Sequence, residues 1–115
     1  MTEPILDLEA LLESVGGDRE LLDELAATFA AEVPGWISSL RTAVSSGDSK
    51  TVYRVAHGVN GAIGYFKAAG VREPAIELET MGREGRLAEA GPVLDRLEEG
   101  LRALDTFLGS VPWKG

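Results

Sequence analysis

Residues 50–66 read Lys-Thr-Val-Tyr-Arg-Val-Ala-His-Gly-Val-Asn-Gly-Ala-Ile-Gly-Tyr-Phe and contain the only histidine of the chain, His57. Apolar residues recur here at spacings of three and four, which is the pattern of one buried helical stripe. They are Val52, Val55, Ala56, Val59, Ile63 and Phe66. Because each residue advances about 100° around a helix, His57 falls almost opposite the centre of this stripe. The stretch therefore predicts a helix that buries one face and presents its histidine to solvent.

The outer face of this helix is short of side chains. Gly61 follows His57 by one turn and Gly64 by two turns, so both glycines lie beside the histidine. A glycine inside a helix costs roughly 1 kcal/mol relative to alanine, and two on one face are therefore expensive. A cleared surface around an exposed imidazole indicates a group that a large partner must reach.

The composition is that of a soluble globular chain. Its 115 residues, 44% of them hydrophobic, predict one domain over residues 1–115, with a core from about 6 to 108 and a mobile tail from 109 to 115. The net charge of −8 argues against nucleic acid and against an anionic membrane surface as partners. No cysteine is present, which excludes disulfides and thiolate metal sites. With no signal-peptide pattern and no apolar stretch long enough to span a bilayer, we expect a cytoplasmic protein.

The rest of the chain is also patterned for helices, and no sustained apolar–polar alternation indicates a strand. The sequence predicts a short helix from Leu6 to Val15, a second helix capped by Asp18, and a last helix that starts at Gly91 and Pro92. The apolar face of the first helix is predicted to be Ile5, Leu8, Leu11 and Leu12, and that of the last helix Val93, Leu94, Leu97, Leu101, Leu104, Phe107 and Leu108. The predicted fold is all-α, an up-and-down antiparallel four-helix bundle with a short extra N-terminal helix.

Prolines and caps set the expected boundaries of the middle helices. Pro34 is predicted to break or kink the second helix, so that a second arm follows it. Asp48 is predicted to cap the helix of His57, which should run to about Ala69. Pro74 suits the first turn of the next helix. The inward face of that next helix is predicted to be Ile76, Leu78 and Met81.

Several kinds of site are excluded by the residue types. A single histidine without cysteine cannot supply a zinc or di-iron site, and no metal site is predicted. The spacing of Gly58, Gly61 and Gly64 lies inside a helix and does not match a phosphate-binding loop, so no ATP site is expected. No helical neighbour of His57 supplies a nucleophile or an orienting acid for hydrolysis. A solvated acidic face is predicted for Glu73, Glu77, Glu79, Glu84 and Glu89.

Two cations precede the histidine on nearly the same side of its helix. Lys50 lies two turns before His57, and Arg54 lies one turn before it. In an acidic protein they would favour an anion on the imidazole, although ordinary surface charges would look the same. An imidazole is partly neutral and nucleophilic near pH 7. The residues therefore suggest transient phosphorylation of His57.

Motifs along most of the chain point to one family. Residues 56–62 read Ala-His-Gly-Val-Asn-Gly-Ala, and Phe66 and the pair Leu78-Glu79 follow them. Upstream lie Gly-Gly-Asp18-x-Glu-Leu-Leu, then Phe29, Leu40 and Gly47-Asp48. In these features, from about Leu6 to Leu108, the chain resembles the histidine-containing phosphotransfer (HPt) domains of bacterial multistep phosphorelays. Their signature runs approximately Ala-His-x-Leu-Lys-Gly-Ser/Ala, followed by an aromatic residue or leucine and later by Leu-Glu.

The resemblance implies a four-helix bundle with a function in phosphoryl transfer. His57 would accept a phosphoryl group from a receiver-domain aspartate, or from a kinase, and pass it to another receiver. The receiver would supply Mg²⁺, so the chain itself would need no cofactor and would not be an enzyme. Gly61 would clear space for the ring and its phosphate. The expected phosphate and docking neighbourhood is Asn60, Gly61, Arg54 and Gly64, with Lys50 and Lys67 as further candidates.

The chain departs from the family pattern at two positions. The family often has a lysine three residues after the histidine, where this chain has Asn60, and a glycine ten residues after it, where this chain has Lys67. Asparagine donates hydrogen bonds but carries no charge. Arg54 or Lys67 would then have to neutralise the phosphoryl group.

A second hypothesis is a phosphate-independent helical docking module that binds a receiver or a histidine kinase, and Asn60 at the lysine position supports it. A metal- or base-dependent enzyme that uses His57 is a third possibility, disfavoured by the lack of partner residues. Under the phosphotransfer hypothesis we expect a monomer with response-regulator receivers as partners, together with a hybrid histidine kinase where the relay includes one.

Overall fold

The computed structural model describes residues 8–66 and 68–109, which form helices joined by short turns. The helices are α1 (Leu8–Ser14), α2 (Arg19–Ser46), α3 (Ser49–Tyr65), α4 (Ala69–Glu84) and α5 (Ala90–Gly109). Within these ranges no helix has the length and apolar character needed to cross a membrane. The predictions made for Ile5, Leu6, Lys67 and the tail after Gly109, including Trp113, lie outside the described residues.

Helices α2 to α5 form the predicted bundle. Helix α3 packs against α2 and α4, and α5 packs against the same two helices, so the four close into a ring. Successive helices are joined by only two to five residues, which makes them antiparallel neighbours. The prediction of an all-α up-and-down bundle is confirmed.

The core is built from one aliphatic stripe per helix, as the spacings predict. Its largest fully buried side chains are Leu11, Leu22, Leu40, Val52, Val59, Ile63, Leu78, Leu94, Leu97, Leu101, Leu104 and Leu108. The predicted stripe of the last helix is confirmed, although Phe107 is only partly buried. Leu11 brings α1 onto this core, so the short helix packs at the end of the bundle where α2 begins.

Aspartates start the two helices for which the sequence predicts them. The Asp18 carboxylate accepts a hydrogen bond from the amide of Leu21 at 2.9 Å, which caps α2. The Asp48 carboxylate accepts from the hydroxyl of Thr51 at 2.6 Å and from its amide at 3.1 Å, which caps α3. These two hydrogen bonds, the hydroxyl's first, lower the pKa of Asp48. The helix that carries the histidine therefore has a fixed beginning.

Of the two predicted effects of Pro34, the break was wrong, and the kink stays a prediction. Helix α2 continues through Pro34, and the predicted second arm is its C-terminal half. Proline removes the hydrogen bond to the carbonyl four residues earlier, but Pro34 lies on the exposed side of the helix, where water can solvate polar groups. Val33 and Ile37, on either side of it, are buried in the core and anchor both halves of the helix there.

The boundary between α3 and α4 also differs from the prediction. Helix α3 ends at Tyr65 rather than near Ala69, because Phe66 turns into the core, where it is 4% exposed. Helix α4 starts at Ala69, so Pro74 lies inside it and not in its first turn. The carbonyl that Pro74 leaves without its helical partner belongs to Gly70, which is exposed to water.

The register of α4 follows from this earlier start. Leu78 and Met81 are buried as predicted, whereas Ile76 is 46% exposed. Val71 and Ala75 belong to the buried stripe. Ile76 follows Ala75 by one residue, or about 100° around the helix, and so lies beside the stripe rather than on it.

Helices α3 and α4 approach each other closely at Gly82. A Cβ atom at that position would lie 2.5 Å from the backbone nitrogen of Tyr53, 2.9 Å from its Cα and 3.0 Å from the carbonyl oxygen of Ser49. Glycine is required there because any side chain would collide with backbone. This contact fixes which residues of α4 lie opposite the middle of α3.

Candidate functional site

His57 stands at the midpoint of α3, on the face that points away from the core. Val52, Ala56, Val59 and Ile63 are buried on the opposite side of the helix. The His57 side chain is 67% exposed. The predicted orientation of the histidine is therefore confirmed.

The imidazole is held by a carboxylate from the neighbouring helix. Nδ1 of His57 lies 3.2 Å from Oε1 of Glu79 on α4. An ionised carboxylate can only accept hydrogen bonds, so this contact places a proton on Nδ1. The lone pair of the neutral ring is then on Nε2, which makes Nε2 the nucleophilic atom.

Glu79 is a shielded residue at the centre of this arrangement. Its side chain is only 14% exposed. Besides His57, Oε1 accepts a hydrogen bond from Nδ2 of Asn60 at 3.4 Å, and Oε2 lies 3.5 Å from the guanidinium of Arg83. The prediction that Glu79 belongs to a solvated acidic face was wrong, because Gly82 brings this turn of α4 against α3.

An aromatic ring supports the imidazole on the side towards the start of α3. The ring of Tyr53 is stacked on that of His57 with centroids 6.0 Å apart and an interplanar angle of 22°. The guanidinium carbon of Arg83 lies 5.8 Å from the centroid of the same tyrosine ring. Tyr53 and Glu79 therefore restrict the imidazole from two directions.

Asn60 is held between opposite charges on α4. Its Oδ1 accepts a hydrogen bond from Nε of Arg72 at 2.7 Å, while its Nδ2 donates to Glu79. The guanidinium of Arg72 lies over Gly64. A Cβ atom added to Gly64 would lie 3.5 Å from the guanidinium carbon. A continuous chain of contacts thus runs from His57 through Glu79 and Asn60 to Arg72.

The remaining predicted residues are spread along α3. Arg54 and Gly58 lie on the side towards α2, where they line a groove with Gly35 and Trp36. Gly61 is exposed. A Cβ atom added there would have no atom of the described residues within 4 Å, apart from its chain neighbours and the backbone of its own helix. Gly64 is half-buried because Arg72 covers it, and the exposed Lys50 lies in the first turn of α3. The structure thus brings Asn60 and Gly64, but not Arg54, into the network of Glu79.

Metal ligands are not gathered anywhere in the described ranges, since residues 8–66 and 68–109 contain no group of three histidine, aspartate or glutamate side chains able to hold an ion. The chemistry visible at this site is that of one nucleophilic imidazole between charged and aromatic neighbours.

The family model of the Hpt domain matches residues 24–107, which is most of the chain. The chain belongs to the Hpt domain family. Its fold is similar to the crystal structure of histidine-containing phosphotransfer protein B from Pseudomonas aeruginosa PAO1, with a TM-score of 0.84 and 22% sequence identity over 94% of each chain. At that identity the likeness shows the shared fold. No curated protein matches the chain.

Membership of the Hpt family gives the chain a histidine phosphotransfer role in phosphorelays. Sequence reasoning about this Hpt domain missed four residues of the contact network that includes the histidine: Tyr53, Arg72, Glu79 and Arg83. Three of them repeat on one face of α4 at spacings of seven and four, which places them in a row along the helix. That row, together with Gly82 as the point of close approach, is the signal from which the three residues of α4 could have been found.

A Gly61→Ala variant of this Hpt domain is expected to be more stable and less active. An added methyl meets open space and removes the cost of a helical glycine, so the free energy of unfolding should rise by roughly 0.5–1 kcal/mol. The methyl would also stand one turn from His57, where a partner must approach. Urea unfolding and the rate of phosphoryl transfer from a receiver measure the two effects.

Gly70→Ala is the matched control, because Gly70 is also helical with open space at its Cβ position among the described residues but does not adjoin His57. It should gain stability without slowing transfer. A Gly61→Ala variant that transfers at the wild-type rate would show that Gly61 does not serve partner access.

Proposed function

We propose that this chain is a cytoplasmic phosphorelay intermediate in which His57 carries the phosphoryl group from one receiver domain to another. A histidine kinase is the other possible donor. The observation that carries the proposal is the contact of Nδ1 of His57 with Glu79 at 3.2 Å, because it leaves Nε2 as the nucleophile on an exposed ring. Family membership supports the class of reaction.

The transfer step follows from this geometry. The lone pair of Nε2 attacks the phosphorus of an aspartyl phosphate; a nitrogen–phosphorus bond forms while the phosphorus–oxygen bond to the aspartate breaks. The bonding electrons leave with the aspartate as a carboxylate, and the imidazole ring becomes positively charged with its proton still on Nδ1. The Glu79 carboxylate faces that proton and stabilises the new charge. Transfer to the next receiver is the reverse reaction, and no proton has to move.

The division of tasks between the two proteins follows from what this chain contains. We expect the receiver to bind Mg²⁺ and to stabilise the charge on the transferring phosphoryl group. The Hpt chain then supplies the nucleophile, its orientation and a clear approach over Gly61. It acts as a monomer and as an intermediate rather than as an enzyme.

Label transfer from a panel of phosphorylated receiver domains to the purified chain tests this function. Acid-labile, base-stable label on the chain supports the phosphorelay role and identifies the donor. Receivers that bind the chain but transfer no label to it would favour the phosphate-independent docking module. Asn60 would then be the residue to change first, because its amide is already occupied by Arg72 and Glu79.

A Glu79→Gln variant should accept phosphate more than tenfold more slowly than wild type. The glutamine amide is a similar size but carries no charge, so the positive ring formed during transfer loses a charge-assisted hydrogen bond, worth roughly 1.5–3 kcal/mol. Single-turnover transfer from a saturating phosphorylated receiver measures the rate.

Glu77→Gln provides the matched control, since Glu77 lies on the same helix and pairs with Arg96 on α5. It should transfer at the wild-type rate. Equal rates for Glu79→Gln and wild type would mean that the Nδ1 contact does not contribute to transfer.

A further inference from the structure

We infer that Arg72 supplies the positive charge for the phosphoryl group on His57 and that Asn60 holds it in place. This inference rests on the proposed function of His57. It concerns the chain's own departure from the family pattern, where a lysine is replaced by the uncharged Asn60. The amide of Asn60, which stands where the family often has a lysine, binds the guanidinium of Arg72.

The position of Arg72 is set by α3, and within residues 8–66 and 68–109 it forms no ion pair with a carboxylate. Its Nε donates to Oδ1 of Asn60 at 2.7 Å, the shortest contact of the network. Its guanidinium lies over Gly64, since a Cβ atom added there would be 3.5 Å from the guanidinium carbon. Gly64 follows Gly61 by one turn of α3, so the cation borders the surface left open beside His57.

The other arginine of the network is placed differently. Arg83 lies 3.5 Å from the Glu79 carboxylate, and the two form an ion pair spaced four residues apart on α4. Its charge is therefore partly offset before any phosphate arrives. Arg72 is bound to a neutral amide oxygen, so less of its positive charge is neutralised before a dianionic group is attached to His57.

Asn60 acts as a positioning residue in this arrangement. One end of its amide binds the cation of Arg72 and the other end donates to Glu79, so it holds opposite charges apart on the same helix face. Without it, the Arg72 guanidinium would lose this hydrogen bond and with it the position beside the open surface next to His57. The asparagine thus keeps a positive charge near the lysine position without being charged itself.

Chemical phosphorylation tests this inference without any receiver. Phosphoramidate labels accessible histidines directly, and His57 is the only one in the chain. We expect Arg72→Gln to slow labelling about threefold and to raise the pKa of the attached phosphoryl group, followed by phosphorus NMR, by a few tenths. Asn60→Ala, which keeps the charge but releases it, should change both quantities in the same direction and by less.

Arg96→Gln is the control, because it removes the same charge from an exposed arginine on α5 that pairs with Glu77. It should behave as wild type. Adding Asn60→Lys to Arg72→Gln should restore both the labelling rate and the phosphoryl pKa, a rescue that a purely structural role of Arg72 would not show. Unfolding midpoints of all variants identify any that do not fold.

The inference would be overturned if Arg72→Gln and Arg96→Gln gave the same labelling rate and the same phosphoryl pKa. It would also be overturned if adding Asn60→Lys did not rescue Arg72→Gln. Failure of the relay itself is a separate result, since it would appear as an absence of transfer from receivers while phosphoramidate still labels His57.

Discussion

A His57→Gln variant is expected to fold like the wild type and to take up no phosphoryl group from any donor. The side chain is 67% exposed and lies outside the core, so its replacement should leave stability within about 0.5 kcal/mol of wild type. Glutamine has a terminal amide whose N–H groups can still donate to Glu79, but this nitrogen is not a nucleophile. Acid-labile label after incubation with a phosphorylated receiver is the measurement.

Binding to the receiver separates this result from a loss of docking. The variant should bind the receiver that phosphorylates the wild type with an affinity within a few-fold of it, because only the reacting nitrogen has been removed. Label that persists on the His57→Gln chain would place the phosphoryl group on another residue and contradict the proposed site.

A Gly82→Ala variant is expected to lose roughly 2–3 kcal/mol of its free energy of unfolding. The new methyl would stand 2.5 Å from the backbone nitrogen of Tyr53, and backbone cannot rotate away as a side chain can. The two helices must therefore separate, which also withdraws Glu79 from His57, since Glu79 lies one turn before Gly82. Urea unfolding gives the stability, and label transfer should slow together with it.

Gly100→Ala is the matched control for this helix contact. Its methyl would meet Cγ1 of Val71 at 2.7 Å, a single side-chain atom, so a small shift of one valine can relieve the contact without parting the backbones. We expect a clearly smaller loss of stability and no change in transfer by the folded protein. If the two variants were equally stable, the close approach at Gly82 would not be what holds α3 against α4.

The bundle was predictable from the sequence because each helix carries its own signal. The stripe of α5 and the stripe around His57 repeat at helical spacing, and their buried residues are those that the spacing selects. Asp18 and Asp48 cap helices through contacts three residues away, which is local chemistry. Such features depend on nearest neighbours in the chain and need no knowledge of tertiary packing.

The prolines were misinterpreted because their cost depends on tertiary position. Pro34 and Pro74 each remove one helical hydrogen bond, but Pro34 itself is exposed and the carbonyl affected by Pro74 belongs to the exposed Gly70. Burial of neighbouring apolar residues compensates for that loss. Which side of a helix faces water at a proline depends on packing with other helices and cannot be assigned from a local rule about proline.

The site was predictable only as far as α3 extends. His57 and its open neighbour Gly61 follow from one helix, whereas the partners of the imidazole come from α4. The pair of His57 and Glu79 is separated by 22 residues and a turn. Arg72 was missed for the same reason, and the sequence instead suggested cations on the histidine's own helix or in the following turn. Helix spacing predicts faces, but not which faces meet.

The contacts around His57 come from two consecutive helices, α3 and α4, and span Tyr53 to Arg83. Helix α2 contributes to this region through the groove that it forms with Arg54 and Gly58. The contacts that orient the imidazole therefore come from α3 and α4, while α2 borders the same exposed surface on its other side. We expect substitutions on the outer surface of α2 to change which receiver docks while the phosphohistidine chemistry stays constant, which would give duplicated relays a simple route to insulation from one another.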